Sequence, residues 1–403
     1  MTRRVAVTGI GLVSPHGDSP AMVFDAVMAG RSAVSRWDEG LTEPAVVAKA
    51  PFEVERWFTR LQLAGMDRVS QIAVAAAESA RTDSGLAALA EDAGVFVGCG
   101  MGGAAAIDLA FSCHIGDRRM PPLSVPAFMP NAPAAHVAMR MQVHGPVMTY
   151  SVACASAALA LAEAAKAVAR GDAPMAIAGG SEALLVPSVV HAWQALQTLA
   201  SPAGEDPTQA SRPFSSDRSG LVLGEGAAFL VLEPLEAAQA RGARIYAEFA
   251  GSGVSCDATH LTKPNAAGQV RALTKALGDS GLTTRDIGYC NAHGTATLIG
   301  DIVEAEALCS VWGDDIDRLQ VSSTKSTHGH LLGAAGALEA ALTVLAIHHR
   351  ALPPNMHCPN QDPACGLTLV REPGTQAAHL SAAISNSFAF GGTNAVLVFR
   401  RTD

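Results

Sequence analysis

The segment SVACASAALALAEAA, residues 151–165, places Cys154 in front of a run of alanine and leucine. Small apolar residues on every face predict a helix that is buried against neighbours all round. The start of a helix carries unpaired N–H groups and the positive end of the helix dipole, which favour the reactive thiolate form of a cysteine. Free cysteine is also a common small core residue. This segment alone therefore leaves two interpretations of Cys154, a nucleophile or a core residue.

Short apolar runs that end in glycine alternate with alanine-rich helical runs along the chain, which is typical of an α/β fold. RVAVTGIGLVS and AGVFVGCGMGG in the first part have counterparts of similar rhythm, such as ARIYAEFAGSGV and SAAISNSFAFGG, in the second. The rhythm predicts two duplicated halves, residues 1–240 and 241–403. The irregular segments 111–135 and 200–222 of the first half are predicted to form loops or a cap over the core.

Composition excludes several classes of function. The 403 residues are 49% hydrophobic with a net charge of −9, which argues against a nucleic-acid or anionic-membrane surface. No apolar run is long enough to cross a bilayer, and the short apolar stretch near the start does not have the pattern of a signal peptide. Eight scattered cysteines without a C-x-x-C pair indicate neither a disulfide framework nor a zinc site. We therefore expect a cytoplasmic protein with no metal.

Three further segments carry residue types that suit catalysis. NAHGTAT (291–297) contains His293, SSTKSTHGHLLGAAGALEA (322–340) contains Lys325 and His330, and SNSFAFGGTN (385–394) contains a glycine pair. A single histidine in a glycine turn is usually structural. Two histidines at strand ends, one of the few lysines and a cysteine at a buried helix start together indicate a catalytic cluster.

In these four segments, and over essentially its whole length, the chain resembles the elongating β-ketoacyl-acyl-carrier-protein synthases, condensing enzymes of fatty-acid and type II polyketide synthesis. The resemblance implies the thiolase fold, with two duplicated halves in a five-layered αβαβα arrangement. It also implies a homodimer, with a heterodimer with a second ketosynthase-like chain as an alternative. The partner would be acyl carrier protein, whose phosphopantetheine arm carries the substrates, and no cofactor would be bound to the enzyme itself.

The resemblance assigns a role to each motif residue. Cys154 would hold the acyl group as a thioester, because a thiolate is a good acyl acceptor. His293 and His330 would donate hydrogen bonds to the enolate formed when a malonyl group loses carbon dioxide. Lys325 would tune the field around the histidines, with Glu304 as its partner. The remaining assignments are the oxyanion N–H groups of Cys154 and Phe390, the gating loop Phe388, Ala389 and Phe390, and the pantetheine-binding hydroxyls of Thr295 and Thr297.

The chain also departs from the family pattern. Ala389 stands where the family usually has glycine, so the gating loop is expected to be stiffer. His328 stands where threonine is usual, and we expect a structural role for it. Arg118 and Arg119 match part of the carrier-docking patch of the family, although exposed arginines are often simply solvated. Family resemblance places Met101, Phe128 and Met129 in the acyl pocket.

Two other functions stay open at this point. A non-catalytic partner resembling chain-length factors would act by forming a heterodimer, but such proteins usually lack the nucleophile that Cys154 supplies. A degradative thiolase would have a second catalytic cysteine in its carboxy-terminal motif, where this chain reads NSFAFGGTN.

Overall fold

The computed structural model describes residues 3–201 and 206–402. Those ranges contain fourteen strands: β1 (Val5–Val13), β2 (Ser35–Trp37), β3 (Ala45–Ala48), β4 (Gly94–Gly98), β5 (Val147–Tyr150), β6 (Ala176–Glu182), β7 (Leu223–Gly224), β8 (Gly226–Pro234), β9 (Ala247–Cys256), β10 (Ile287–Asn291), β11 (Gln320–Ser322), β12 (Thr368–Leu369), β13 (Ala382–Phe388) and β14 (Thr393–Arg400).

The same ranges contain twelve α-helices: α1 (Pro20–Met28), α2 (Arg68–Asp83), α3 (Ala104–Ile115), α4 (Ser124–Phe128), α5 (Ala132–Met141), α6 (Ser156–Arg170), α7 (Pro187–Ala195), α8 (Leu235–Ala240), α9 (Ala266–Ser280), α10 (Gly300–Trp312), α11 (Lys325–His328) and α12 (Ala335–His349). The segment 111–135, expected to be irregular, includes the end of α3, all of α4 and the start of α5. In the segment 200–222, residues 202–205 lie outside the described ranges.

The strand order shows the duplication directly. The first half is ordered β5-β4-β6-β8-β1 and the second β11-β10-β13-β14-β9, with β12 added beyond β11. In each half the first two pairings are parallel and the last two antiparallel. A short antiparallel pairing of β1 with β9 joins the two sets of strands into one eleven-stranded sheet. The predicted duplicated α/β architecture is confirmed.

Helices complete five layers. α2 and α5 pack on each other outside the first set of strands, and α9 and α10 do the same outside the second. α6 and α12 pack together in the centre and contact strands of both sets. Every residue from Ala335 to Ile347 in α12 is buried. A Cβ atom on Gly336 would lie 2.9 Å from the Cβ of Ala158, so small residues let the two central helices approach closely.

The stretch Leu332–His349 is, among the described residues, the one helix long and apolar enough by composition to cross a membrane. Of this stretch, 89% is buried inside the protein. Its apolar character is accounted for by its place between the two sets of strands.

Candidate active site

Cys154 lies in a tight turn between β5 and the central helix α6. The preceding residue, Ala153, has a left-handed φ of 49°. Ser156 fixes the turn from inside, because its Oγ accepts a hydrogen bond from the N–H of Val152 (2.9 Å) and donates one to the carbonyl of Ala153 (2.6 Å). α6 begins two residues after the cysteine, so the thiol lies beside the helix start that the sequence predicts.

The thiol of Cys154 lies next to His330. The Nε2 atom of His330 is 3.0 Å from Sγ. The N–H of Leu332 donates to Nδ1 of the same ring at 3.3 Å, so Nδ1 is the acceptor and Nε2 carries the proton of the neutral imidazole. His330 therefore donates a hydrogen bond towards the sulfur. Such a donor stabilises negative charge on sulfur or on an oxygen formed beside it.

Burial favours the protonated form of the Cys154 thiol. Burial raises the pKa of Cys154 to about 12, and it outweighs the lowering of the pKa by Lys325 and by the backbone N–H of Phe390. Burial therefore opposes the activation expected from the helix start, because removal from water disfavours the charged form of the thiol. A thiolate at this position depends on the hydrogen-bond donors that surround the sulfur.

His293 follows β10 and is held through its backbone. Glu304 on α10 accepts hydrogen bonds from the N–H of His293 (2.8 Å) and of Gly294 (2.7 Å), and a third from Nδ2 of Asn386 (3.0 Å). The ring of His293 lies edge to face with that of His330, with 5.4 Å between the ring centroids. The two imidazoles thus face one site beside the sulfur.

Lys325 is buried behind His293. Its Nζ donates to the carbonyl of His293 at 2.6 Å and lies 3.5 Å from Nδ1 of that ring. Because an ammonium group only donates, Nδ1 is again the acceptor, and the proton of His293 is on Nε2. Burial, and then the charge of Lys325, hold the pKa values of His293 and His330 well below the usual range. Both rings are therefore neutral donors at neutral pH.

The ion-pair partner of Lys325 differs from the one expected. Nζ lies 2.5 Å from Oε1 of Glu339 on the central helix α12. Glu304 is occupied by the two backbone N–H groups of residues 293 and 294, so it supports His293 instead of the lysine. The carboxylate from α12 reaches the lysine because that helix passes directly behind the site.

The loop after β13 covers the sulfur. Phe388 ends β13 and lies edge to face with His293, and the ring of Phe390 stacks on that of Trp193 with 6.1 Å between centroids. Ala389 donates its N–H to the carbonyl of Thr393 at 2.8 Å. The turn that follows has left-handed φ angles of 86° at Gly391 and 80° at Gly392, which glycine adopts without strain.

A cavity of about 370 Å³ leads to Cys154, and the predicted residues of the site line it together. These are Cys154, His293, Thr295, Thr297, Glu304, His330, Phe388, Ala389 and Phe390. The hydroxyls of Thr295 and Thr297 are 3.1 Å apart on its wall. At the rim, Leu298 and Ile299 are exposed apolar side chains.

Two supporting residues were missed by the sequence reasoning. Arg218, whose side chain is buried, donates to the carbonyls of Thr297 (2.9 Å) and Leu298 (2.7 Å) and so fixes the wall that carries the threonines. Glu182, at the end of β6, accepts from the N–H of Gly100 (2.8 Å) and of Gly333 (3.1 Å), which ties the segment after His330 to the loop after β4. An arginine inside RPFSSDRSG and a glutamate after a glycine pair were the available signals.

Other predicted residues lie away from the cavity lining. Met101 and Met129 are exposed and Phe128 is half-buried, so the single chain does not place them on the wall that reaches Cys154. Arg118 and Arg119 are exposed beyond the end of α3.

His328 is buried in the turn between Lys325 and His330. It donates from Nδ1 to the carbonyl of Gly329 (2.8 Å), and its Nε2 lies 3.0 Å from the hydroxyl of Thr324. These contacts agree with a structural role for the ring, because both nitrogens face groups of its own turn.

Ligand atoms of Cys154, His293 and His330 lie within 4.8 Å of one another, close enough in principle to hold a metal ion. The ammonium of Lys325, 3.5 Å from Nδ1 of His293, repels a cation there. A site with buried positive charge behind neutral donors suits an anion instead, such as an enolate or a tetrahedral oxyanion.

Comparisons with known proteins agree with this geometry. Residues 2–238 match the family described as beta-ketoacyl synthase, N-terminal domain, and residues 246–359 match its C-terminal domain. A 3-oxoacyl-acyl-carrier-protein synthase 2 of Staphylococcus aureus (strain COL) is 38% identical over 99% of this chain and 98% of that protein. Nodulation protein E of Rhizobium sp. (strain N33) is 41% identical, with both chains fully covered.

Among solved structures, the ishigamide ketosynthase/chain length factor superposes with a TM-score of 0.92 at 32% identity, and each chain is covered completely. Sequence profile, full-length relatives and fold thus agree with the cysteine and histidine arrangement. The chain belongs to the β-ketoacyl synthase family.

Proposed function

We propose that this chain is an elongating β-ketoacyl-acyl-carrier-protein synthase that joins an acyl group held on Cys154 to a malonyl unit. The observation that carries the proposal is the pair of neutral, Nε2-protonated imidazoles of His293 and His330, which face one site beside Sγ. A decarboxylative condensation develops negative charge on a thioester oxygen twice, and this site offers fixed N–H donors for it.

In the first step the sulfur of Cys154 attacks the carbonyl carbon of an acyl thioester on the carrier. The N–H groups of Cys154 and Phe390 stabilise the oxyanion, the carrier thiolate leaves, and the thiol proton passes to it. Hydrogen bonding of Phe390 to the sulfur in the resting state supports this role, because it places that N–H beside the reacting atom. The acyl group then remains on Cys154 as a thioester.

In the second step a malonyl thioester enters and loses carbon dioxide, and the electron pair of the broken C–C bond forms an enolate. His293 and His330 donate hydrogen bonds to the enolate oxygen. The enolate carbon attacks the acyl carbonyl, the bond to Sγ breaks, and the β-ketoacyl product is two carbons longer. The departing thiolate of Cys154 takes up a proton from water. The electron pair released with carbon dioxide ends on this sulfur, so the reaction needs no redox cofactor, and the phosphopantetheine arm is the one prosthetic group involved.

The pantetheine arm is proposed to lie along the wall that carries Thr295 and Thr297. Their hydroxyls suit the amides of such an arm, and Arg218 fixes the carbonyls of that wall. The name of the Staphylococcus aureus relative includes the acyl carrier protein, which supports acyl carrier protein as the partner of this chain.

We propose a homodimer that forms through the apolar surface of α3, α4 and β5. β5 is an edge strand, and Val147 and Met148 on it are 41% and 46% exposed. Phe111 and Ile115 on α3 are 63% and 83% exposed, so this surface is a large apolar patch beside an unpaired strand edge. A heterodimer, as in the ishigamide ketosynthase/chain length factor, would use the same face.

A cytoplasmic location is supported by eight free cysteines.

Incubation of the purified protein with acyl- and malonyl-loaded carrier tests the proposal. We expect one carbon dioxide for each β-ketoacyl product, and no product from the Cys154→Ala variant. A product formed from two acyl groups without carbon dioxide would indicate a thiolase. A protein inactive alone but required by a second ketosynthase chain would indicate a chain-length-factor role.

A further inference from the structure

Two residues that line the cavity reaching Cys154 each carry a buried polar atom without a hydrogen-bond partner. These atoms are Oε1 of Gln269, on α9, and Oγ1 of Thr198, in the segment after α7. Other described residues also carry buried polar atoms without a partner. Among them, Gln269 and Thr198 are the two that line this cavity. Buried polar atoms are nearly always paired, because an unmade hydrogen bond costs free energy.

The neighbouring polar groups of the cavity wall are already paired. Nδ2 of Asn394 donates to Oδ1 of Asp257 at 2.7 Å, and the N–H of Asn265 donates to Oδ2 of the same carboxylate at 3.0 Å. The hydroxyls of Thr295 and Thr297 lie 3.1 Å apart. The unpaired atoms of Gln269 and Thr198 are therefore a local exception on this wall.

Both residues are held firmly by the backbone. Gln269 lies near the start of α9, is 1% exposed, and donates its N–H to the carbonyl of Asn265. The carbonyl of Thr198 accepts from the N–H of Leu221 at 2.9 Å. Because Gln269 is 1% exposed, its side chain has little room to turn towards another partner, and the cavity that both residues line is the nearest source of one.

We propose that Gln269 and Thr198 form a polar subsite that binds a hydrogen-bond donor, an amide N–H or a hydroxyl, of the incoming thioester substrate. The amide oxygen of Gln269 accepts from that donor, and the hydroxyl of Thr198 bonds to an adjacent polar atom of the same ligand. This inference rests on the proposed function, because the ligand is the thioester of the condensation. The donor has two possible sources, the pantetheine arm and an oxygenated acyl chain.

The variants Gln269→Met and Thr198→Val test the subsite, because each keeps the approximate shape of the side chain and removes its hydrogen-bonding atom. The exposed Gln239 on α8 supplies the control, Gln239→Met. We expect KM to rise about three- to tenfold in each test variant, with kcat nearly unchanged. The melting temperature should stay equal or rise, because an unpartnered buried polar atom has been replaced by an apolar one.

Three substrates distinguish the sources of the donor: a saturated acyl pantetheine thioester, the same acyl group on N-acetylcysteamine, and its 3-hydroxyacyl analogue on N-acetylcysteamine. N-acetylcysteamine keeps the amide of the arm that is nearest the sulfur and lacks the distal amide. A rise in KM for all three substrates therefore assigns the donor to the proximal amide of the arm, and a rise confined to the pantetheine thioester assigns it to the distal amide. A rise confined to the 3-hydroxyacyl substrate assigns it to the acyl chain.

An unchanged KM for all three substrates, in both variants, would overturn the subsite. A lower melting temperature with unchanged KM would overturn it too, by showing that the two side chains support the fold. Acylation of Cys154 by the saturated substrate in the unmodified enzyme is measured in parallel. It reports on the proposed function independently of either variant.

Discussion

The Nζ atom of Lys325 and the Oε1 atom of Glu339 form an ion pair of 2.5 Å in which the side chains are 1% and 0% exposed. Burial raises the pKa of Glu339 to about 7, and Lys325 acts in the opposite direction by stabilising the carboxylate. The same ammonium donates to the carbonyl of His293. The pair therefore keeps a positive charge behind the imidazoles and holds them neutral.

Replacement of Lys325 by methionine leaves Glu339 without its counter-charge. We expect the free energy of unfolding at pH 8 to fall by about 3–5 kcal/mol, the usual cost of leaving one buried charge unpaired. The pKa of Glu339 in the folded variant lies further above its value in the unfolded chain. Folding then takes up a proton, and stability falls as the pH rises. The loss relative to the unmodified protein should be smaller at pH 6.

Urea denaturation of both proteins at pH 6 and pH 8 measures this effect. Lys166→Met is the matched control, because Lys166 pairs with Glu163 on α6 and the two side chains are 40% and 32% exposed. Equal losses at the two pH values in the Lys325→Met variant would show that Glu339 does not carry the charge that the pair requires.

The two histidines should separate the half-reactions. His293→Ala removes one donor to the enolate, and we expect malonyl decarboxylation to slow about 10²–10³-fold while acylation of Cys154 continues. His330→Ala should slow both half-reactions, because Nε2 of His330 also lies 3.0 Å from Sγ. Release of carbon dioxide from malonyl thioester and acyl transfer to the enzyme are measured separately.

His379→Ala, at an exposed position, controls for the loss of a histidine as such. If decarboxylation were unchanged in both the His293 and the His330 variants, the donor roles would be misassigned. If His293→Ala abolished acylation as well, the separation of roles derived from the geometry would fail.

The sequence was informative where chemistry depends on local context. Cys154 before an alanine-rich run and His293 after an apolar strand could be recognised from their own segments, and the alternating runs predict the duplicated α/β fold. The partner of Lys325 could not be predicted in this way, because Glu304 and Glu339 are both glutamates in predicted helices. The choice between them depends on which helix passes behind the lysine.

The protonation state of Cys154 could not be predicted from the sequence either. A helix start predicts a lowered thiol pKa, but the amount of water removed from the sulfur depends on the loop after β13 and on the packing of α6. Likewise, the exposure of Met101 and Met129 depends on how the folded chain packs around them. Such properties come from tertiary packing, which short motifs do not encode.

Carrier docking is proposed to use Arg118 and Arg119. Reversal of both charges should raise KM for carrier-bound substrates, because charges at the rim steer encounter with an acidic partner. Added salt should weaken the unmodified enzyme more than the variant. Turnover of a short pantetheine thioester, which needs no docking, should be nearly unaffected.

Charge reversal of Arg285 and Arg318 controls for the change in net charge. Their side chains are 72% and 71% exposed, and both lie beside Asp315 in the second half of the chain. Equal KM values for carrier-bound substrate in the unmodified enzyme and in the Arg118 and Arg119 variant would remove these residues from the docking surface. The assignment of the catalytic residues would stand, since it depends on other contacts.

The central claim is that Cys154 carries the acyl group, and intact-protein mass spectrometry after incubation with acyl-loaded carrier tests it most directly. The account predicts a mass increase of one acyl group for each chain, mapped by peptide analysis to Cys154 and absent from the Cys154→Ala variant. Acylation that persists in that variant, or that maps to another residue of the unmodified protein, would contradict it.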